Sequence, residues 1–240
     1  MDLLVARELN ILYIGLDIAF LLILLFVLLY TRKYMAIIVG LLAGVLYMIV
    51  DYGIFYQLLG TRQVVGADPF WFLLWLSISY GFTNFVWIWL WLDQDGHRLE
   101  WSLLIIAGWL CTALLSSNLG EGLPVISIQR GTSSYHGVMA LILFIGYGIL
   151  CLRNIRGRDR APIGQILAIG ILVQGAWEFI LLITGIRPTG IMPLLVNALL
   201  ETNLGLPYMY WIHRAVNSRW GENLKRRESS KESQLYGTAE

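Results

Sequence analysis

The chain has 240 residues, of which 58% are hydrophobic and only 14% charged, against roughly 25% charged in ordinary soluble domains. With a mean hydropathy of +0.67, this is the composition of an integral membrane protein, and it excludes disorder, a secreted disulfide scaffold and a nucleic-acid binder. The formal net charge of +1 gives no polyanion-binding signal, and the two cysteines, Cys111 and Cys151, both sit in apolar runs that provide no disulfide framework.

A bilayer core of about 30 Å needs about 20 apolar residues in a helix. Taken in chain order, seven segments qualify: 11–30, 35–59, 70–92, 101–119, 135–152, 163–186 and 190–212. The first has no small-residue cleavage site before Arg32 and Lys33, so it reads as a retained span. Lipid cannot satisfy backbone polar groups, so each span is expected to be a helix. The expected fold is an all-α membrane protein: a seven-helix domain over 1–216 and a polar tail over 217–240, read as disordered.

Orientation follows from Lys and Arg. Loops 31–34, 93–100 and 153–162 plus the tail from 213 hold thirteen, whereas the other side holds four: Arg7, Arg62, Arg130 and Arg187. The N-terminus is therefore expected outside or in a lumen, with the C-terminus cytosolic. Lys33, Lys225 and Lys231 all lie outside the spans, which excludes a retinal Schiff base. His97 and His213 lie at the opposite face from His136, so no zinc cluster and no other cofactor is expected.

Four acids fall within the spans: Asp17, Asp51, Glu178 and Glu201. At about 1.5 Å per residue they share a layer roughly 9 to 16 Å below the outer boundary. Such residues are costly in lipid and are functional candidates by default. No Lys or Arg is expected at that depth, so hydrogen bonding and protonation are expected to neutralise them. Asp17 lacks distinctive neighbours and reads as structural.

The other three acids lie in an internal repeat. Val50-Asp51-Tyr52 matches Trp177-Glu178-Phe179, a loop arginine follows in each copy (Arg62, Arg187), and Thr83-Asn84-Phe85 matches Thr202-Asn203-Leu204. Paired aromatics come next, Trp87 and Trp89 against Tyr208 and Tyr210. This implies two parallel three-helix units joined by span four, with the site between them. Trp71, Trp101 and Trp220 suit the interfacial belt. Tyr52, Tyr56, Trp75, Tyr80, Trp87 and Trp177 are deep enough to offer cation-stabilising faces.

Over its whole length the chain resembles the small seven-span integral-membrane terpene cyclases of fungal meroterpenoid and indole-diterpene biosynthesis. In that family an acid in span two, in a Trp-Glu context followed by a tyrosine, and an acid in span seven are implicated in cyclisation. Asp51 with Tyr56 occupies the first position, and Glu201 in Glu201-Thr202-Asn203-Leu204-Gly205 resembles the second. Here Val50-Asp51 replaces Trp-Glu, and a Trp177-Glu178 pair stands in span six instead.

The resemblance implies a metal-free cyclase that protonates an epoxide or alkene of a polyprenyl substrate, in the endoplasmic reticulum membrane if the source is fungal. Asp51 would be the proton donor and Glu201 the proton relay or acceptor, and Glu178 would assist. Asn84 and Asn203 would orient them, and Tyr208 would join the aromatic wall. The expected partners are a hydrophobic isoprenoid molecule and the bilayer. A proton-coupled small-molecule transporter is the competing expectation, because buried carboxylates at one depth and paired repeats describe such proteins too. It is disfavoured by the lack of span-three counterparts to Pro193 and Pro207.

Overall fold

The computed structural model describes residues 4–131, 135–158, 160–188 and 190–219. Among the described residues six helices are long and apolar enough to cross a membrane: α1 (Ile11–Tyr30), α2 (Tyr34–Met48) with its continuation Ile49–Leu58, α3 (Pro69–Leu92), α4 (Arg98–Leu119), α5 (His136–Ile155) and α6 (Ile163–Ile183). Local chemistry sets their starts. The Asn10 side chain caps α1 by accepting from the Tyr13 N–H at 3.0 Å, and its Nδ2 donates to the Ser116 carbonyl of α4 at 2.8 Å. Asp68 caps α3 in the same way, with Pro69 in the first turn where no N–H is needed.

α3 is the central helix. Of its most apolar stretch 78% is buried, against 11% for α5, which leaves most of its surface to lipid. Three indoles run through the centre from α3 to α6: Trp87 meets Trp109 of α4 at 5.8 Å between ring centroids, and Trp109 meets Trp177 at 4.8 Å. α2 docks on α3 through glycines. A Cβ at Gly81 would stand 2.6 Å from the Gly44 Cα, so the two backbones touch there. This close approach sets Asp51, two turns further along, against α3.

The structure corrects two expectations. First, the connections on the N-terminal side of the bundle are not plain loops. β1 (Leu4–Asn10), β2 (Arg62–Val65) and β3 (Val125–Arg130) form an antiparallel sheet in the order β1-β3-β2, so the predominantly helical bundle carries a small sheet as a cap. These strands are too short to register beside apolar runs of 18 or more residues. At the β1 edge the Glu8 N–H donates to the Ile186 carbonyl at 2.7 Å, tying the loop after α6 to the cap.

Second, the segment expected as one helix over 190–212 is broken. It consists of α7 (Ile191–Val196), a π-helical stretch Asn197–Glu201, a turn over 202–205 and α8 over 206–219. Pro207 is tolerated because it falls in the first turn of α8, where its missing N–H costs nothing. Residues 217–219, assigned to the tail, continue α8, while Trp220 and the rest of the tail lie outside the described residues. The continuation Ile49–Leu58 is π-helical as well. Cys111 and Cys151 are free thiols.

The α2–α3 contact generates a packing test. Gly81→Ala should destabilise the protein by about 1–3 kcal/mol through overpacking. Gly148→Ala in α5, where a Cβ meets nothing within 4 Å, should leave stability unchanged or slightly raised. Thermal unfolding in detergent compares the two, and equal melting temperatures would show that the helices do not approach so closely.

Candidate functional site

The sheet sends arginines into the bundle. Alternation along β3 buries Ile126 and Ile128 and brings Arg130 to the same side. Arg62 begins β2 on its buried side, and an irregularity in the β1 pairing between Val5 and Arg7 accompanies burial of Arg7. Arg62 and Arg130 are cross-strand partners. Like charges opposite one another repel, so counter-charge from below must hold them.

The spans supply it. Arg62 is ion-paired with Asp51. Arg187 grips Glu178 through Nε and through Nη2, the latter 2.7 Å from Oε1, and Arg7 Nη2 stands 3.5 Å from that same oxygen. Arg130 Nη1 is 3.8 Å from Glu201 Oε1. Guanidinium groups, not protonation and neutral hydrogen bonds alone, therefore balance the buried acids, which corrects the expectation that nothing basic lies at their depth. A depth count along the spans places backbone and cannot see loops whose long side chains reach inward. Burial pushes the Arg62 guanidinium down to about 10, with Arg130 adding to the fall and Asp51 opposing it. At Arg130 burial also acts downward, but Glu201, Asp51 and Glu178 outweigh it and hold this guanidinium above its ordinary value.

Glu178 is fully buried and accepts further hydrogen bonds from Asn197 Nδ2 at 3.1 Å and Gln174 Nε2 at 3.2 Å. Gln174 also reaches Glu201 Oε2 at 3.4 Å, while its own carbonyl accepts from the Tyr80 hydroxyl and from Thr202 Oγ1 at 2.8 Å. This buried amide thus joins α3, α6 and the segment after α7. Sequence reading missed it, although an amide one helical turn before Glu178 is a usable signal.

A cavity of about 220 Å³ lies at this layer. Its polar wall is Asp51, Glu201, Thr202, Arg7, Arg62 and Arg130, and its apolar wall includes Tyr47, Phe55, Tyr80, Phe85, Leu76 and Met139. Leu46 lines it too and is 57% exposed, so the cavity reaches the outward face of α2. Asp51 and Glu201 therefore share one wall, and both sit on π-helical backbone, a geometry that recurs at functional sites.

Of the expected binding residues, Tyr80 lines the cavity and the others do not. Glu178 lies beneath the arginines rather than in the wall. Trp75 donates to Asp17 at 2.9 Å, Trp87 donates to Ser102 at 2.7 Å, and Trp177 packs under Arg7 with 5.8 Å from the guanidinium carbon to the ring centroid. Tyr52 and Tyr56 stack on each other, and Tyr208 donates to the Ile142 carbonyl at 3.0 Å. Asn203 accepts from Tyr147 and donates to the Ala198 carbonyl, filling a space opposite Gly170 where a Cβ would stand 2.2 Å from its Oδ1. Asn84 is buried with no hydrogen-bond partner among the described residues. Tyr47, Phe55, Phe85 and the three wall arginines were missed. Ordinary loop arginines and aromatics in aromatic-rich spans carry no distinguishing spacing.

The chain matches no protein-family model, and no curated protein and no solved structure is detectably similar to it. The chemistry must be argued from the wall itself. Paired carboxyl groups beside aromatic rings in a mainly apolar cavity can donate and accept protons away from bulk water. A metal cation finds no vacant ligand set there, because each of the three carboxylates already faces a guanidinium.

Buried pairs of this kind make a sharp stability test. Arg187→Met should destabilise by about 3–5 kcal/mol, because Glu178 loses its bidentate partner. The double variant Arg187→Met/Glu178→Gln should recover much of that loss. Thermal unfolding of the four members of the cycle measures the coupling, and strictly additive effects would mean that the pair does not form.

Proposed function

We propose that the chain is an integral-membrane terpene cyclase acting by proton transfer on a polyprenyl-bearing substrate. The observation that supports this most is the joint presence of Asp51 and Glu201 in one mainly apolar cavity, among the rings of Tyr47, Phe55, Tyr80 and Phe85. In this reading α7, the π-helical stretch and α8 together make a seventh crossing. The N-terminus and the sheet lie on the outer or lumenal side, with the C-terminus in the cytosol. The four outer arginines are then sequestered by carboxylates, which fits an outer face poor in free basic charge.

The chemistry proceeds in two proton transfers. Glu201, whose guanidinium neighbour is the more distant at 3.8 Å, donates a proton to an epoxide oxygen or a terminal alkene. The C–O bond breaks, or the alkene becomes a cation, as the next double bond attacks and rings close against the aromatic wall. The final cation releases a proton to Asp51, which is ion-paired with Arg62. Proton exchange between the two acids resets the site, and the product is an isomer of the substrate. Glu178 acts as a positioning residue that anchors Arg187 and Arg7.

The repeat reading also gains support. In each half an acid pairs with the arginine of the loop that follows it, Asp51 with Arg62 and Glu178 with Arg187. One observation favours the competing transporter reading: the helix is interrupted over 197–205, beside Glu201, and broken helices at buried acids are typical of transporters.

Membranes containing the protein, incubated with a panel of epoxidised farnesyl-aryl compounds, should yield cyclised isomers of unchanged mass. Glu201→Gln should lower turnover by about 10² to 10⁴ with little change in melting temperature. Asp51→Asn strands Arg62, so it is paired with Arg62→Gln, and the double variant should be folded and inactive. Normal turnover by these variants would remove the proposed acids. Absence of turnover combined with solute movement driven by a proton gradient would establish the transporter instead.

A further inference from the structure

Positive charge exceeds negative charge around the cavity. Arg7, Arg62, Arg130 and Arg187 face Asp51, Glu178 and Glu201, which leaves one guanidinium in excess when all are ionised. The close pairs use Arg62 and Arg187. Arg7 and Arg130 are left with carboxylates at 3.5 and 3.8 Å, too far for charge-assisted hydrogen bonds, which run about 2.7–2.9 Å. The Nε of each has no hydrogen-bond partner, the Arg7 side chain is only 3% exposed, and both residues line the cavity. Buried guanidinium donors without acceptors are strongly penalised, and here they border empty space that an acceptor can enter.

We infer that the edge of the cavity formed by Arg7 and Arg130 is an oxyanion site that holds the carboxylate of a lipid-soluble amphiphile, with its chain lying along Tyr47, Tyr80 and Phe85. The inference rests on reading this cavity as the place where a lipid-soluble substrate is turned over, and it names the substrate's head group. With Glu201 protonated as the proposed donor, the layer carries two surplus positive charges, at Arg7 and Arg130, and a bound carboxylate reduces them to one. The planar guanidinium fork fits a carboxylate. Cyclisation supplies a second reason, because an uncompensated guanidinium beside a developing carbocation would raise its energy and a bound anion cancels that field. Entry through the membrane is available at Leu46, which both lines the cavity and is exposed.

The test is binding of farnesoic acid, its methyl ester and farnesyl diphosphate to the full chain in lipid nanodiscs, followed by titration calorimetry. The acid should bind at least tenfold more tightly than the ester. Arg130→Gln and Arg7→Gln should each bring the acid down to the level of the ester, without changing the affinity for the ester, and Arg130→Lys should restore part of the preference. If Arg7→Gln does not fold, Arg130→Gln, which lies in the looser pair, decides alone. Equal binding of acid and ester, a preference that survives loss of Arg130, or tighter binding of the diphosphate would each overturn the monoanion site. Binding does not require turnover, so the two proposals fail separately. An arginine-dependent preference with no cyclisation of any substrate removes the cyclase and keeps the site, while cyclisation of neutral epoxides without such a preference does the reverse.

Discussion

The structure depends on a layer of buried arginine–carboxylate pairs where one end of the helical bundle meets the sheet. Removing such ions from water costs several kcal/mol each after relaxation, so neither sign can be buried without the other. Asp51 and Glu178 come from spans, whereas Arg62 and Arg187 come from the segments that follow them. Each pair therefore closes a short stretch of chain onto its own helix. The backbone of those connections has to approach the apolar region, and strand pairing satisfies its N–H and C=O groups there. On this view the sheet is the means by which three of the arginines are presented together.

Packing beneath the layer keeps it in register. Trp177 has Arg7 over one side and meets Trp109 edge-on at 4.8 Å, so the position of a guanidinium is tied to the central indoles. Gln174 links Glu178 to Glu201, and Tyr80 and Thr202 fix the amide. The cavity is thus bounded by rigid aromatic and hydrogen-bonded walls over much of its surface. Its softer side is the segment after α7, where the backbone passes from π-helix to turn within nine residues, 197–205. A proton donor placed on that segment can adjust to a substrate, which suits the role proposed for Glu201.

Much of the helical frame was legible because hydrophobic length is a direct consequence of bilayer thickness. The bounds of α1 through α6, with α2 taken together with its continuation to Leu58, lie within about three residues of the expected spans. The gathering of Asp51 and Glu201 at one level could also be read, because depth depends only on rise along a helix. What could not be read depends on folding back or on departures from the 3.6-residue period. Arg7, Arg62 and Arg130 look like ordinary loop charges until strand pairing turns them inward, and Arg187 does until the segment after α6 folds back onto Glu178. The π-helical segments at Asp51 and Glu201 shift side chains around the axis, so facing relations counted on an α-helix fail where the cavity lies. Trp87 and Asn84 were expected at the site from their place in the repeat, yet they serve the packing behind it. A repeat reports equivalent backbone, not equivalent exposure.

The central claim is that guanidinium groups of the cap and of the segment after α6 neutralise Asp51, Glu178 and Glu201. Exchanging the charges of one pair tests it most directly, by thermal unfolding in lipid nanodiscs of Asp51→Arg, Arg62→Asp and the double exchange. The account predicts that each single reversal lowers the melting temperature sharply, since it places two like charges in the same buried site, and that the double exchange recovers most of the loss. Single reversals that melt like the parent, or a double exchange no better than the sum of the two, would contradict it.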